Sequence, residues 1–292
     1  MKPAPFIYHA PATLAECLQL LAQHNDEAAV LAGGQSLLPL MRFRLAQPAH
    51  LIAIRNIADD LRSIRNTDDG LAIGAGVTYI AVQRSAEARA ACPGLVNAIE
   101  LVAHPAVRTR GTICGNLCQA DPASELPAIA LIMEARFKLR SASGERVVAA
   151  KDYFLGPYMT ARKSDEMLTE VVFPRRPSEE KVVIKEITRL RGGFPLAGVA
   201  LALMRGKGST SLSSVALACF GVNAKQIRVP EAEAALVSHG YTAAGIAAAA
   251  DAIDRAIHPH ADPFASVEYR RSATRTLFQR AIKEAHEEVS AQ

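Results

Sequence analysis

The sequence predicts an α+β protein built in three units, residues 1–57, 58–177 and 178–292. Three observations carry this. A helix, a short apolar strand and a glycine turn follow one another near the start of the chain. Alternating runs joined through Asp69-Gly70 and Ser143-Gly144 then mark two hairpins. Finally, Pro174-Arg175-Arg176-Pro177-Ser178 can continue neither sheet nor helix, and beyond it the composition turns to strand-type runs and then to alanine-rich helix.

In chain order, Thr13-Leu14-Ala15-Glu16 is a capping box that opens a helix over Leu14–His24, with Leu14, Leu18 and Leu21 on one face. Ala29–Ala32 is a short apolar strand ending in Gly33-Gly34-Gln35-Ser36, after which Leu37–Met41 turns helical. Leu51–Ile54 is a second apolar strand and closes the first unit. In the second, Leu61–Asn66 and Leu71–Ala75 form a hairpin, and Thr78 caps a helix. Cys92-Pro93-Gly94 breaks the chain before a helix over Leu95–Ala103. Then comes Arg110–Asn116, read as a loop because Gly111 and Gly115 can adopt positive φ, followed by Ser124 as the cap of a nearly all-apolar helix over Glu125–Glu134 that should be buried. Ala135–Ser141 and Glu145–Ala149 make the next hairpin, and Met167–Phe173 the last strand of the unit. The third unit is expected to hold a three-stranded antiparallel sheet (Val182–Thr188, Ala197–Leu203, Ser214–Val222). Helices over Glu231–Ser238, Thr242–Ile257 and Val267–Glu288 follow it. The Ala247–Ala250 run is simply good helix former.

Of the 292 residues half are hydrophobic, and the net charge is +4, enough for a full core and too evenly spread to argue for nucleic acid. Tryptophan is absent, so base stacking has little to work with. No apolar run reaches the roughly 18 residues of a membrane span, and the start lacks a signal-peptide core, so a cytoplasmic location without a membrane span is expected. The 5 cysteines are scattered without C-x-x-C, which points to neither a disulfide framework nor a cluster cage. Ser36 is no nucleophile elbow, since the second glycine of G-x-S-x-G is missing. His258-Pro259-His260 and the Cys114/Cys118 pair lack two further ligands at zinc-like spacing, and the remaining histidines are isolated in sequence. No catalytic residue and no metal site is expected.

What remains is a pair of glycine segments. Two such loops converging on one pyrophosphate would satisfy its oxygens with main-chain donors, without a Walker-type lysine. An Ala32-Gly33-Gly34-Gln35-Ser36 segment about eighty residues before Thr112-Ile113-Cys114-Gly115-Asn116, which runs on to Asp121-Pro122-Ala123-Ser124-Glu125-Leu126-Pro127, resembles the FAD-binding medium subunit of the molybdenum hydroxylases. That is the family of the carbon monoxide dehydrogenase medium chain and the xanthine dehydrogenase flavin segment. Its patterns are A-G-G-x-S and T-I-G-G-N, and the likeness covers nearly the whole chain. Cys114 departs from it, standing where the family has a glycine. Either positive φ is not needed there, or a small side chain is accepted beside the cofactor.

The resemblance implies a two-subdomain FAD-binding domain of the vanillyl-alcohol-oxidase-like (PCMH) type, followed by a C-terminal α+β domain. It implies non-covalent FAD held by Leu31, Ala32, Gly33, Gly34, Gln35, Ser36 and Leu37 from one side and by Thr112, Gly115 and Asn116 from the other. Val102 and Cys118 complete that set, and Leu168 and Lys185 fall at positions near the isoalloxazine. Glu125 is either the family's acidic partner of the cofactor hydroxyls or a first-turn glutamate favoured by the helix dipole. Lys185 is either a cation beside the reduced ring or a solvated strand-edge lysine. The molybdenum cofactor and the [2Fe-2S] clusters are expected only in partner chains, a large molybdenum subunit and a small iron–sulfur subunit, with electrons leaving to an external acceptor. One branch of the family adds a cysteine-rich loop for a further cluster, and this sequence lacks it. Two other functions stay open: a dinucleotide-binding module without turnover, and a self-contained flavin oxidase.

Overall fold

The computed structural model describes residues 2–57, 61–208 and 210–290. The first unit is a parallel sheet of β1 (Ile7–His9), β2 (Ala28–Leu31) and β3 (His50–Ala53) in the order β1-β3-β2, with α1 (Leu14–His24) after β1 and α2 (Leu37–Arg42) after β2. Thr13 caps α1 by accepting the Glu16 N–H at 3.2 Å, while the Glu16 carboxylate reaches back to the Ala12 N–H at 2.8 Å. Cys17, Leu18 and Leu21 bury the inner face of that helix, so it is amphipathic packing, secured at one end by its cap, that holds it. The boundary expected between residues 57 and 58 runs into residues 58–60, which lie outside the described residues.

The second unit is a five-stranded antiparallel sheet in the order β4-β5-β10-β6-β7, made of β4 (Ile64–Thr67), β5 (Gly70–Gly74), β6 (Arg136–Ser141), β7 (Gly144–Ala149) and β10 (Met167–Pro174). Between β5 and β6 run the helices α3 (Tyr79–Arg84), α4 (Ala86–Ala91), α5 (Pro93–Leu101), α6 (Pro105–Arg108), α7 (Ile113–Gln119) and α8 (Glu125–Ile132). After β7 come α9 (Ala150–Tyr153) and a short ribbon of β8 (Phe154–Gly156) and β9 (Met159–Thr160). The first hairpin strand starts later than the sequence suggests. Leu61 is buried in the core, and although its carbonyl still accepts the Gly76 N–H at 2.6 Å in the register of the hairpin, the continuous strand begins only at Ile64.

The third unit is a sheet of β11 (Lys181–Thr188), β12 (Pro195–Arg205), β13 (Leu212–Phe220) and β14 (Ile227–Arg228), followed by α10 (Pro230–His239), α11 (Ala243–Ala256) and α12 (Val267–Ser290). It has four strands among the described residues, where three are expected. The fourth is two residues long and pairs Arg228 with Ala218 and Ile227 with Cys219, too short to show any alternation in sequence. β12 and β13 are covered on both faces. Ala200, Ala202, Ala216 and Ala218 face the core shared with α8, whereas Val199, Leu201, Leu203 and Leu217 face the helices that follow. The small residues let α8 lie close to the sheet, and every residue of that helix is buried, which explains its nearly unbroken apolar sequence.

No helix among the described residues is long and apolar enough to cross a membrane.

Candidate cofactor-binding site

The turn after β2 is set by Gly34, which takes φ +72°, a conformation that costs a side chain roughly 1–2 kcal/mol. Gly33 is required for a different reason. A Cβ there would stand 2.1 Å from the Arg110 carbonyl oxygen, so the two glycine segments touch main chain to main chain at this point. Ser36 occupies the N-cap of α2 without a capping bond from its side chain, which leaves the hydroxyl available. The N–H groups of Gln35, Ser36 and Leu37 have no hydrogen-bond partner among the described residues. Three adjacent main-chain donors and a hydroxyl are thus left free on residues that line one cavity.

The second segment is not the loop that its glycines suggest. Thr112 bridges antiparallel to Thr78, and the Tyr79 N–H donates to the Gly111 carbonyl at 3.0 Å. From Ile113 onward the chain is the helix α7, capped by Thr112 Oγ1, which accepts the Gly115 N–H at 3.0 Å. Neither Gly111 nor Gly115 takes positive φ. Gly111 is small because a Cβ would meet the Tyr79 ring at 2.5 Å, and Gly115 because one would meet Thr112 Oγ1 at 2.7 Å. Cys114 therefore stands at a helical position that needs no glycine. Its thiol points to the Ile73 carbonyl at 3.7 Å, and burial raises its pKa well above the usual range, so it stays a neutral thiol.

Two adjoining cavities meet where these segments touch, both lined by Ala32, Gly33, Ile54 and Thr112. The first, about 230 Å3, takes Leu31, Ala32, Gly33, Gly34, Gln35, Ser36 and Leu37 on one wall and Thr112, Gly115, Asn116, Cys118 and Leu168 on the other. The second, about 680 Å3, is basic, with Arg55, Arg62 and Arg110 in its lining. Twelve of the residues implied by the resemblance are thus brought together. Val102, Glu125 and Lys185 are not.

Each of these three is drawn elsewhere by a stronger local demand. Val102 is buried at the end of α5. Lys185 forms an ion pair with Glu284 across β11 and α12, so the charge that would face a reduced ring is already matched. Glu125 is buried at the start of α8, behind the wall. Burial pushes its carboxyl up to about 7; its own N–H opposes this and Asp121 adds to it. A second carboxyl, that of the half-buried Glu186, is pushed up to about 8, by burial first and then by Glu125, and its buried Oε2 has no hydrogen-bond partner among the described residues. Ser124 stands at the N-cap of α8 but does not cap it with its side chain. It donates instead to Asn116 Oδ1 at 2.8 Å. Burial raises the Tyr79 pKa strongly, with Asn116 opposing that rise. Asn116 is accordingly oriented in the wall by Ser124 from behind.

Tyr79, Gln119, Arg162 and Met167 also line the first cavity, and no motif marks them. Arg162 brings a cation to that lining, where Lys185 does not, and is steadied by the carbonyls of Lys163 and Glu166 at 3.0 and 2.8 Å. Only the path of the chain from β9 to β10 could have placed it.

Comparison with known proteins agrees with this geometry. The model of the FAD binding domain in molybdopterin dehydrogenase matches residues 4–176, and that of the CO dehydrogenase flavoprotein C-terminal domain matches residues 183–285. The chain is 34% identical over 285 residues to the carbon monoxide dehydrogenase medium chain of Hydrogenophaga pseudoflava, covering 98% of each. It is 34% identical to the nicotine 6-hydroxylase medium subunit of Paenarthrobacter nicotinovorans, covering 98% of this chain and 99% of the other. Among solved structures, quinoline 2-oxidoreductase from Pseudomonas putida 86 superposes with a TM-score of 0.92 at 32% identity, over 99% of each chain. The chain belongs to the family of FAD-binding medium subunits of molybdenum hydroxylases.

Proposed function

We propose that this chain holds FAD non-covalently across the two adjoining cavities and serves as the exit for electrons in a complex with a small iron–sulfur subunit and a large molybdenum subunit. The observation that carries the reading is the contact of Gly33 with Arg110 at the junction of the two cavities, beside the free N–H groups of Gln35, Ser36 and Leu37. A dinucleotide has two bulky ends and an anionic middle. Main-chain donors at the junction suit the pyrophosphate, the Leu168 compartment suits the isoalloxazine, and the arginine-lined compartment takes the adenosine half. When bound, FAD supplies the redox chemistry. The residues of this chain hold it, and Arg162 places a positive charge in the flavin compartment.

The partner chains are supported by the relatives, which carry the names of medium chains and subunits. No set of thiols in this chain could hold an iron–sulfur cluster: among the described residues the cysteines are separate, and Cys17, Cys92, Cys114 and Cys219 are buried. Electrons must come from another protein, across an interface of about 1,200 Å2 or more, and leave to an external acceptor. We further propose 1–57, 58–177 and 178–292 as the domain limits.

Titration of flavin-free protein with FAD, FMN and riboflavin tests the binding mode. FAD should bind far more tightly than either fragment, because only it fills both compartments, and dithionite should bleach it. A protein that takes up no FAD supports the non-redox module. The isolated chain should reduce its flavin with no hydroxylase substrate, and activity should return when the other two chains are added. Substrate-dependent reduction by this chain alone, free of molybdenum and iron, would put the self-contained oxidase first.

A further inference from the structure

Three histidines that are isolated in sequence meet in the first unit. In the parallel register Ile7 stands opposite His50 and His9 opposite Ile52, so His9 and His50 project from the same face of adjacent strands. α1 packs on that face, with Leu18 and Leu21 in the same core as Ile52, and its last residue is His24. As a result His9 Nε2 lies 2.9 Å from His50 Nδ1, and the His24 and His50 rings stack with centroids 3.5 Å apart. The His9 ring completes the group at 5.5 and 5.2 Å from the other two. One ring nitrogen of each lies within 4.8 Å of the others, and all three residues are half-buried.

We propose that His9, His24 and His50 bind a divalent transition ion of the zinc type through three imidazole nitrogens, with a fourth position open to water. Imidazole is the ligand that zinc, copper and nickel share, and three imidazoles with one water form a complete tetrahedral set. Zinc–nitrogen bonds of about 2.0–2.1 Å require the three nitrogens to draw closer than they stand here. His24 ends a helix and is only half-buried, so its ring can turn out of the stack and aim its lone pair between the other two. The carbonyls at the C-terminus of α1 favour a cation at that place. His9 and His50 give up their mutual hydrogen bond, and the ring that donated it moves that proton to its outer nitrogen, so no charge is left over. Ala28 pairs with His50 and Leu31 with Ala53, which puts the ion near the opposite end of β2 from the glycine turn, roughly 10 Å along the strand. The ion ties β1, α1 and β3 together beneath that turn and takes no part in electron transfer.

The test uses the full chain, untagged and stripped with a chelator, titrated with Zn2+ against a chromophoric competitor. One equivalent should bind, and Zn2+ should raise the melting temperature. His24→Gln and His50→Gln should each weaken binding by at least roughly tenfold, as loss of a ligand does no less than loss of its supporting partner. Both should abolish the shift in melting temperature. His24→Gln lies at a helix end and should keep the fold, read from an unchanged FAD content. The pair His258→Gln, His260→Gln should bind zinc like wild type. Absence of a tight equivalent in wild type, or undiminished binding in His24→Gln, would overturn the proposal.

Discussion

At Gly34 the chain turns with φ +72° and leaves three N–H groups without partners among the described residues, whereas Gly111 and Gly115 keep ordinary backbone angles and their own N–H groups bond to the Val107 carbonyl and to Thr112 Oγ1. Each segment carries two glycines, a hydroxyl residue and an amide residue, and the two come into contact, but their glycines answer to different neighbours. Beside Gly33 the space is taken by the main chain of Arg110, and beside Gly34 by the Leu38 and Leu31 side chains. Beside Gly111 and Gly115 it is taken by the Tyr79 ring and the Thr112 hydroxyl. A glycine pair therefore announces that something approaches the backbone closely, without saying what. It also follows that the first segment should tolerate substitution poorly for the cofactor's sake, and the second for the sake of its own helix.

The largest effect that would sharpen this contrast is expected at the first segment. Gly33→Val should force it away from Arg110, beyond the roughly 1–3 kcal/mol of ordinary overpacking, and Gly34→Val should add left-handed strain of about 1–2 kcal/mol. Both should lose most of the bound FAD while the C-terminal domain stays folded, measured by flavin content and limited proteolysis. Wild-type FAD content in Gly34→Val would sink the assignment of this turn. Next in size, Thr112→Ala should cost about 0.5–2 kcal/mol through loss of the α7 cap, seen as a lower denaturant midpoint. If it left stability untouched and only weakened FAD, the second segment would be a ligand loop after all.

Cys114→Gly should cost about 0.5–1 kcal/mol by placing glycine within a helix and should leave FAD affinity unchanged. A large loss of affinity would give the thiol a direct role. The mildest change concerns what stands behind the second segment. The raised pKa values of Glu125 and Glu186, about 7 and about 8, mean that the folded protein holds protons which the unfolded chain releases above about 4.5. Their contribution is complete below that pH and is lost as pH rises through 7 and 8. Glu186→Gln should therefore melt increasingly above wild type as pH goes from acid to alkaline, with little difference at the acid end. Parallel melting curves across that range would show that the buried carboxyls do not titrate as described.

Most secondary structure was legible because it rests on neighbours in sequence. The capping box at Thr13 and Glu16, the turn at Gly70 and the alternation of β6 and β7 are local facts, and the elements follow them. Reading failed where an element is short or its cause is distant. β1 and β14 are three and two residues long, and each exists because a partner strand holds it. The segment of α7 reads as a loop because its glycines outweigh the Thr112 cap, although that cap stands only three residues before Gly115.

By itself, then, the sequence determined the order of most helices and strands, the two glycine segments and, through the motifs those segments carry, the family and its cofactor. Tertiary structure alone decided which residues stand at the cavity. Nothing near Lys185 in sequence reveals that Glu284 claims it, since that pairing depends on α12 crossing β11 a hundred residues later. Arg162 and Tyr79 enter the wall because β9, β10 and α3 deliver them there. The same holds for His9, His24 and His50, which become one group only when β1 pairs with β3 under α1. Hydrogen-bonded turns and caps act over three or four residues and can be read along the chain. A site is the meeting of side chains from separate elements, and its membership is fixed by packing, which no stretch of sequence contains.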